Sequence, residues 1–466
     1  MMNHSCVFPL RRAAYIASAL AAVALVASVS AARGAPVPVF DRKSVHFWRL
    51  ESGLRIVVKE DHSAPVVAVN VVIRAGSRRE TAANNGISHF VEHMIFRGAR
   101  AGDVDAFGAA IEAVGGVVNG GTLRDFTHFS AVTPARHLDL ALGALAKALL
   151  HPRFDPEAIA AERLVLVHEA AQLADQPHVA IWDLAFKTAY GTHPYGLPIS
   201  GSAASLVGID DDALNAFYHT WYVANNASVV IVGDVAPEAA RAAAAHAFAG
   251  WRRGTTAQGP PPPAPEGPRA HVEPRSLTQA TVLMGFIVAG MSRPRDVCAV
   301  DLLYTIVGEG YTSPLRRALV DSKLADEVNV NFLTQALPGL FGIQVTCAPQ
   351  RVDEVRRALE REAAKLGAAP VGDEELAKAK DRLGRSYVFS NETFEEQAST
   401  LGFYEAIATY EFGLDYLDQV WSLTGAEVQA AAARYLDPRR AIWVAIIPRE
   451  GSEPATKAVS AQGDAR

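Results

Sequence analysis

Cysteine is scarce in this chain, with 3 among 466 residues. Cys6 stands near the start, which leaves Cys298 and Cys347 in apolar-looking segments; they could pair, but buried free thiols are the expectation, and a disulfide scaffold is not. A sustained basic block is also missing, and the formal net charge is -6, so nothing marks a nucleic-acid partner. Glycine-rich fragments such as "GGVVNGG" and "GEG" do not form a phosphate-binding signature. Beyond the first 32 residues no apolar run is long enough to span a bilayer, so stable membrane insertion of the mature chain is not expected. What remains is a globular composition, 50% hydrophobic and 20% charged, in a chain long enough for two or more domains.

Residues 1–32 read as a signal peptide. Arg11 and Arg12 precede the uncharged run "AAYIASALAAVALVASVSAA", which closes on small residues near Ala32. The alternative is a single anchoring helix. Export to the periplasm is expected, because the leader is bacterial in style and no lipidation cysteine follows it.

The rest of the chain repeats its own grammar. Residues 45–75 alternate around a Ser-Gly turn and then become rich in β-branched residues, which predicts a hairpin leading to a core strand. Ile87, Phe90, Val91, Met94 and Ile95 then fall at helical spacings. Helices are expected at about 103–114, 135–149 and 155–175, with strands around 117–132. After "PPPAPEGP" the pattern restarts: Gly290 lies 214 positions beyond Gly76, and Tyr435 lies 213 beyond Tyr222. Two anchors with nearly one offset indicate an internal duplication. The expected fold is α+β, with two homologous domains, each an antiparallel-rich sheet packed against helices. The boundaries read 43–253 for the first domain, 254–275 for a Pro-rich linker, 276–448 for the second, and 449–466 for a flexible tail.

The chemistry concentrates in "GISHFVEHMIFRG", residues 86–98. On a helix His89 and His93 face the same way and can grip one ion, and Glu92 flanks that face as a candidate general base. Zinc takes such N and O donors, and a catalytic zinc keeps one position open for water. A third donor should come from "EAIAAERLVLVHEAAQLADQP", where Glu162 and Glu169 stand two helical turns apart and His168 is a further candidate. Spacing alone does not choose among them.

These residues resemble the pitrilysin family of zinc peptidases, the group with the inverted zinc motif. The resemblance covers about residues 43–448. It implies one Zn2+ per chain held by His89, His93 and Glu169, which stands 76 positions beyond His93 and closes the family-like run "ERLVLVHE". It implies Glu92 as the base and Glu162 as a supporting acid on the same helix.

A zinc site could cut several kinds of bond, but "AVGGVVNGGTLRDFTHFSAV" suggests peptides. Gly120 and Gly121, set among short strands, would let another backbone approach an exposed sheet edge. In the resembled family this segment is the substrate-binding edge, and it maps onto Asn119, Gly120, Gly121 and Thr122. The same resemblance exposes a gap. Single-chain members carry an Arg and a Tyr in the later domain that steady the oxyanion; in "SPLRRALVDSKLADE" those positions are Val320 and Glu327. Val has no donor and Glu carries the wrong charge, while Arg316, Arg317 and Tyr311 are out of register. The expectation is a zinc endopeptidase acting on peptides or unfolded segments, whose partner is a homologous subunit carrying the Arg/Tyr pair. The alternative is a noncatalytic structural or assembly subunit of the same origin.

Overall fold

The computed structural model describes residues 39–98, 107–256, 269–308, 310 and 313–449. The expected signal peptide, most of the linker, most of the tail, the start of the helix expected at 103–114, and Tyr311 lie outside the described residues.

Eleven strands are described, in two sheets. The first holds β1 (Val45–Arg49), β2 (Arg55–Glu60), β3 (Val66–Ile73), β4 (Val117–Thr122), β5 (Thr127–Pro134) and β6 (Ala227–Gly233), in the order β1-β2-β6-β3-β5-β4. β7 (Arg269–Arg275), β8 (Ala280–Ile287), β9 (Glu327–Phe332), β10 (Leu340–Cys347) and β11 (Ile442–Pro448) form the second, in the order β7-β11-β8-β10-β9. Reading β2-β6-β3-β5-β4 beside that order gives the same path strand for strand, so the repeat in the sequence is a repeat in space. Each sheet has one parallel pair, β2 with β6 and β7 with β11, and is otherwise antiparallel.

The expected hairpin forms between β1 and β2, but β3 does not join it. β6 sits between them because all seven of its residues are buried, and a strand apolar on both faces is most stable at the centre of a sheet. Pro274, which has no N–H to donate, falls on β7 at the sheet's edge.

Helices cover both faces of both sheets, and two of them cross between halves. The helix Pro177–Tyr190 lays Ala180, Ile181 and Ala185 on Leu283, Leu340, Ile442 and Val444 of the second sheet. In return, the helix Phe394–Ile407 lays Ala398 and Leu401 on Val57, Ala68, Val230 and Val232 of the first. The exchange is sealed by charge: Glu405 Oε1 lies 2.9 Å from both Arg55 Nε and Arg74 Nη2. Cys298 and Cys347 are buried free thiols. Among the described residues no helix is long and apolar enough to cross a membrane.

Candidate metal centre

The helix Ile87–Gly98 owes its position to its apolar stripe. Ile87, Phe90, Val91, Met94 and Ile95 are all buried in the first core, which turns the opposite face, with His89, Glu92 and His93, toward β4 and the helix Pro156–Ala174. The start of the helix is held by a residue that motif reading did not single out. Glu80, fully buried, accepts from Gly86 N at 2.8 Å and Ser88 N at 2.9 Å, satisfying first-turn donors that have no partner within the helix. Burial pushes its carboxyl up to about 7 against the pull of those bonds.

His89 Nε2 and His93 Nε2 are 3.1 Å apart, and Glu169 Oε2 lies 3.7 Å from His93 Nε2. All three donors fall within 4.8 Å of one another. Zinc–nitrogen bonds of about 2.0–2.1 Å in a tetrahedron set neighbouring donors about 3.3 Å apart, so these separations bracket what one zinc ion requires. Two imidazoles and a carboxylate also suit zinc chemically. The residues therefore fit the ion.

Glu162 takes the other side of His93. Its Oε1 lies 2.9 Å from Nδ1, a carboxylate partner that fixes the tautomer and leaves Nε2 free to bind metal. Burial works to lower the His93 pKa, but the bond to Glu162 and the charges of Glu92 and Glu169 outweigh it and raise it. His89 is held down to about 3 by burial and by its neighbour His93, so it stays neutral. His168 is not part of the cluster: it is exposed and pairs with Gln172 at 3.0 Å.

Glu92 is buried, which raises its pKa, and Thr122 opposes that rise by donating from Oγ1 to Glu92 Oε2 at 2.7 Å. Thr127 stands opposite Thr122, with hydroxyls 3.3 Å apart, and donates to Ala75 O at 2.8 Å. Thr122, expected at the substrate edge, thus turns inward to the base.

Of the other residues expected at that edge, Asn119 is exposed, Gly120 is half-buried and Gly121 is buried. β4 is the last strand of its sheet and pairs only with β5. Gly120 has a second reason to be glycine. A Cβ there would come within 2.5 Å of the Phe96 ring, so the motif helix itself packs against this backbone.

In the second half the zinc motif is erased. Carried forward by the 214 offset, His89, Glu92 and His93 become Leu303, Ile306 and Val307; carried by the 210 offset from β4 to β9, they become Ala299, Leu302 and Leu303. All of these are buried in the second core. Val320 is half-buried and Glu327 is exposed, while Arg316 Nε lies 3.7 Å from Asp321 Oδ1.

Known peptidases resemble this chain over most of its length. A family model described as insulinase (peptidase family M16) matches residues 55–203, and one described as peptidase M16 inactive domain matches 208–383. An uncharacterized zinc protease of Bacillus subtilis is 26% identical over 362 residues, covering 76% of this chain and 86% of the relative. A probable mitochondrial-processing peptidase subunit beta of Arabidopsis thaliana is 27% identical over 366 residues, covering 76% of this chain and 68% of that one. A crystal structure of a protease from Helicobacter pylori shares the fold with a TM-score of 0.79 at 23% identity, covering 87% of this chain and 99% of that chain.

Proposed function

The chain belongs to the M16 peptidase family, and on that premise we propose that it is a zinc-dependent endopeptidase cutting peptides or unfolded polypeptide segments. The observation that carries this is the placement of Glu92. Its carboxylate is buried beside the donors His89, His93 and Glu169 and is oriented by a hydroxyl of the neighbouring edge strand.

When bound, zinc would polarise the scissile carbonyl and make a water acidic enough to attack it. Glu92 is then the base that accepts the water's proton. The same carboxyl, once protonated, is placed to return that proton to the departing amine. His93, oriented by Glu162, and His89, neutral by burial, supply two of the three donors. The outer edge of β4 offers backbone groups to an extended peptide, which would lie along it as an added strand.

The oxyanion donors come from a homologous partner subunit. In support, Val320 and Glu327 stand where an Arg and a Tyr would serve, Arg316 is paired with Asp321, and the Arabidopsis relative is named as one subunit of its enzyme. The leader-like first 32 residues favour encounter with substrate in the periplasm.

The test is Glu92→Gln, assayed with and without the homologous partner. The variant should keep about one zinc per chain while hydrolysis falls on the order of 10² to 10⁴. Unchanged hydrolysis would overturn the role of Glu92. The loss at positions 320 and 327 also favours a second reading, a noncatalytic subunit, which predicts zinc binding without peptide hydrolysis in any pairing.

A further inference from the structure

We infer that Asp125 is a positioning residue for Glu92, acting by locking the β4–β5 turn onto the second half of the chain. The inference rests on the proposed role of Glu92 as the base.

The turn spans Leu123–Phe126, closed by Leu123 N donating to Phe126 O at 2.8 Å. Its two flanks are Thr122 and Thr127, which face each other in register and form the hydroxyl pair beside Glu92. A tilt of the turn therefore moves the Thr122 hydroxyl relative to the carboxylate it orients.

Asp125 sits at the tip of that turn and is buried. Its Oδ1 accepts from Tyr195 OH at 2.6 Å and lies 2.9 Å from Arg78 Nη1, while Oδ2 accepts from Ala336 N at 3.0 Å. Leu337 N in turn donates to Tyr195 OH at 3.3 Å. Ala336 and Leu337 belong to the β9–β10 connection, the counterpart of the β4–β5 turn in the second sheet. The two equivalent turns thus meet tip to tip, and one carboxylate joins them. Phe126 adds a second restraint by packing edge-on against Phe403 of the crossing helix, with ring centroids 5.8 Å apart. The second half has lost the zinc motif, yet through these contacts it fixes where Thr122 holds the base.

The experiment combines Asp125→Ala and Thr122→Val, singly and together, in the zinc-loaded full chain with its partner. Asp125→Ala should lower kcat by about 10- to 100-fold, since small misplacements near the chemistry cost that much. KM should move less than about threefold, because ground-state binding is left intact. In the Thr122→Val background Asp125→Ala should change kcat little, because residues acting through one path are not additive. Fully additive losses, or a change confined to KM, would overturn the inference. A crystal structure of Asp125→Ala decides it without any assay: the Thr122 hydroxyl should leave hydrogen-bond reach of Glu92, and a retained contact overturns the claim. If Asp125→Ala does not fold, Tyr195→Phe removes one hydroxyl only and should show the same pattern, reduced; normal kcat and an unmoved Thr122 would count against it. Failure of the unaltered pair to hydrolyse any peptide would sink the proposed function, while the crystal structure would still decide the positioning.

Discussion

Glu162 acts on the metal donors through His93, and its effect should be separable from that of Glu169. Replacing Glu162 by Gln keeps the shape but removes the charge from Nδ1, so zinc affinity should weaken by about 10- to 100-fold. Glu169→Gln removes a donor and should weaken it further. Competition against a chromogenic chelator measures both, and equal losses would contradict the division of roles. The sequence shows why this division was only half legible. His89 and His93 are four apart, and on a helix that spacing alone sets both rings on one face. Glu162 and Glu169 are seven apart, about 10 Å along the axis. That distance lets the two carboxylates take opposite sides of one imidazole, Nδ1 and Nε2. A spacing that puts both acids on one face does not rank them. Family resemblance favours Glu169, and the structure supplies the reason Glu162 is also there. Thr122 was harder to read, since a hydroxyl reaching Glu92 from an edge strand depends on how sheet and helix dock.

At the scale of elements, the two glycines that anchor the repeat, Gly76 and Gly290, do the same physical work. A Cβ on Gly76 would lie 2.1 Å from Leu123 O, and one on Gly290 would lie 2.3 Å from the carbonyl carbon of Leu337. Leu337 is itself 214 positions beyond Leu123. Each glycine therefore lets the end of one strand pass against the hairpin connection beside it, and that contact is what the duplication has kept. Gly76→Ala and Gly290→Ala should each destabilise the chain by about 3 kcal/mol, because the obstructing atoms are backbone. Urea denaturation measures this, and a loss under about 0.5 kcal/mol, the range of harmless surface changes, would show that the turns can yield. Gly120→Ala meets both kinds of obstacle: the Phe96 ring at 2.5 Å, a side chain able to shift, and the His128 carbonyl oxygen at 2.9 Å, which is backbone. It should cost about 2 kcal/mol, with Phe96→Leu relieving only part of the loss. The sequence suggested that Gly120 serves an approaching substrate, and packing against the motif helix gives it a structural cause as well.

At the scale of the molecule, the Pro-rich linker suggests two separate bodies, whereas the helices show two halves that complete each other. An apolar stripe tells that a helix buries one face; it does not tell against which sheet. So the exchange of Pro177–Tyr190 for Phe394–Ile407 left no mark in the pattern, although Ala180, Ile181, Ala185, Ala398 and Leu401, which lie on the opposite sheets, are legibly apolar. The exchange implies that neither half is stable alone. Residues 39–256 without the second half would leave Val57, Ala68, Val230 and Val232 uncovered, a contiguous apolar face of the kind that drives aggregation. The complete chain should accordingly unfold in a single calorimetric transition, not in two. Glu405 is the place to test that coupling. It is buried between Arg55 and Arg74, and Arg74 has its pKa lowered by burial even though Glu405 opposes the shift. Glu405→Ala leaves two largely buried guanidinium groups without their counter-charge, which should cost about 3–5 kcal/mol. If the halves are one cooperative unit, the variant melts earlier but still in one step, because the lost contact is shared by both. Two resolved transitions, with the zinc-bearing half melting separately, would mean that the crossing helices pack on the opposite sheets without joining them.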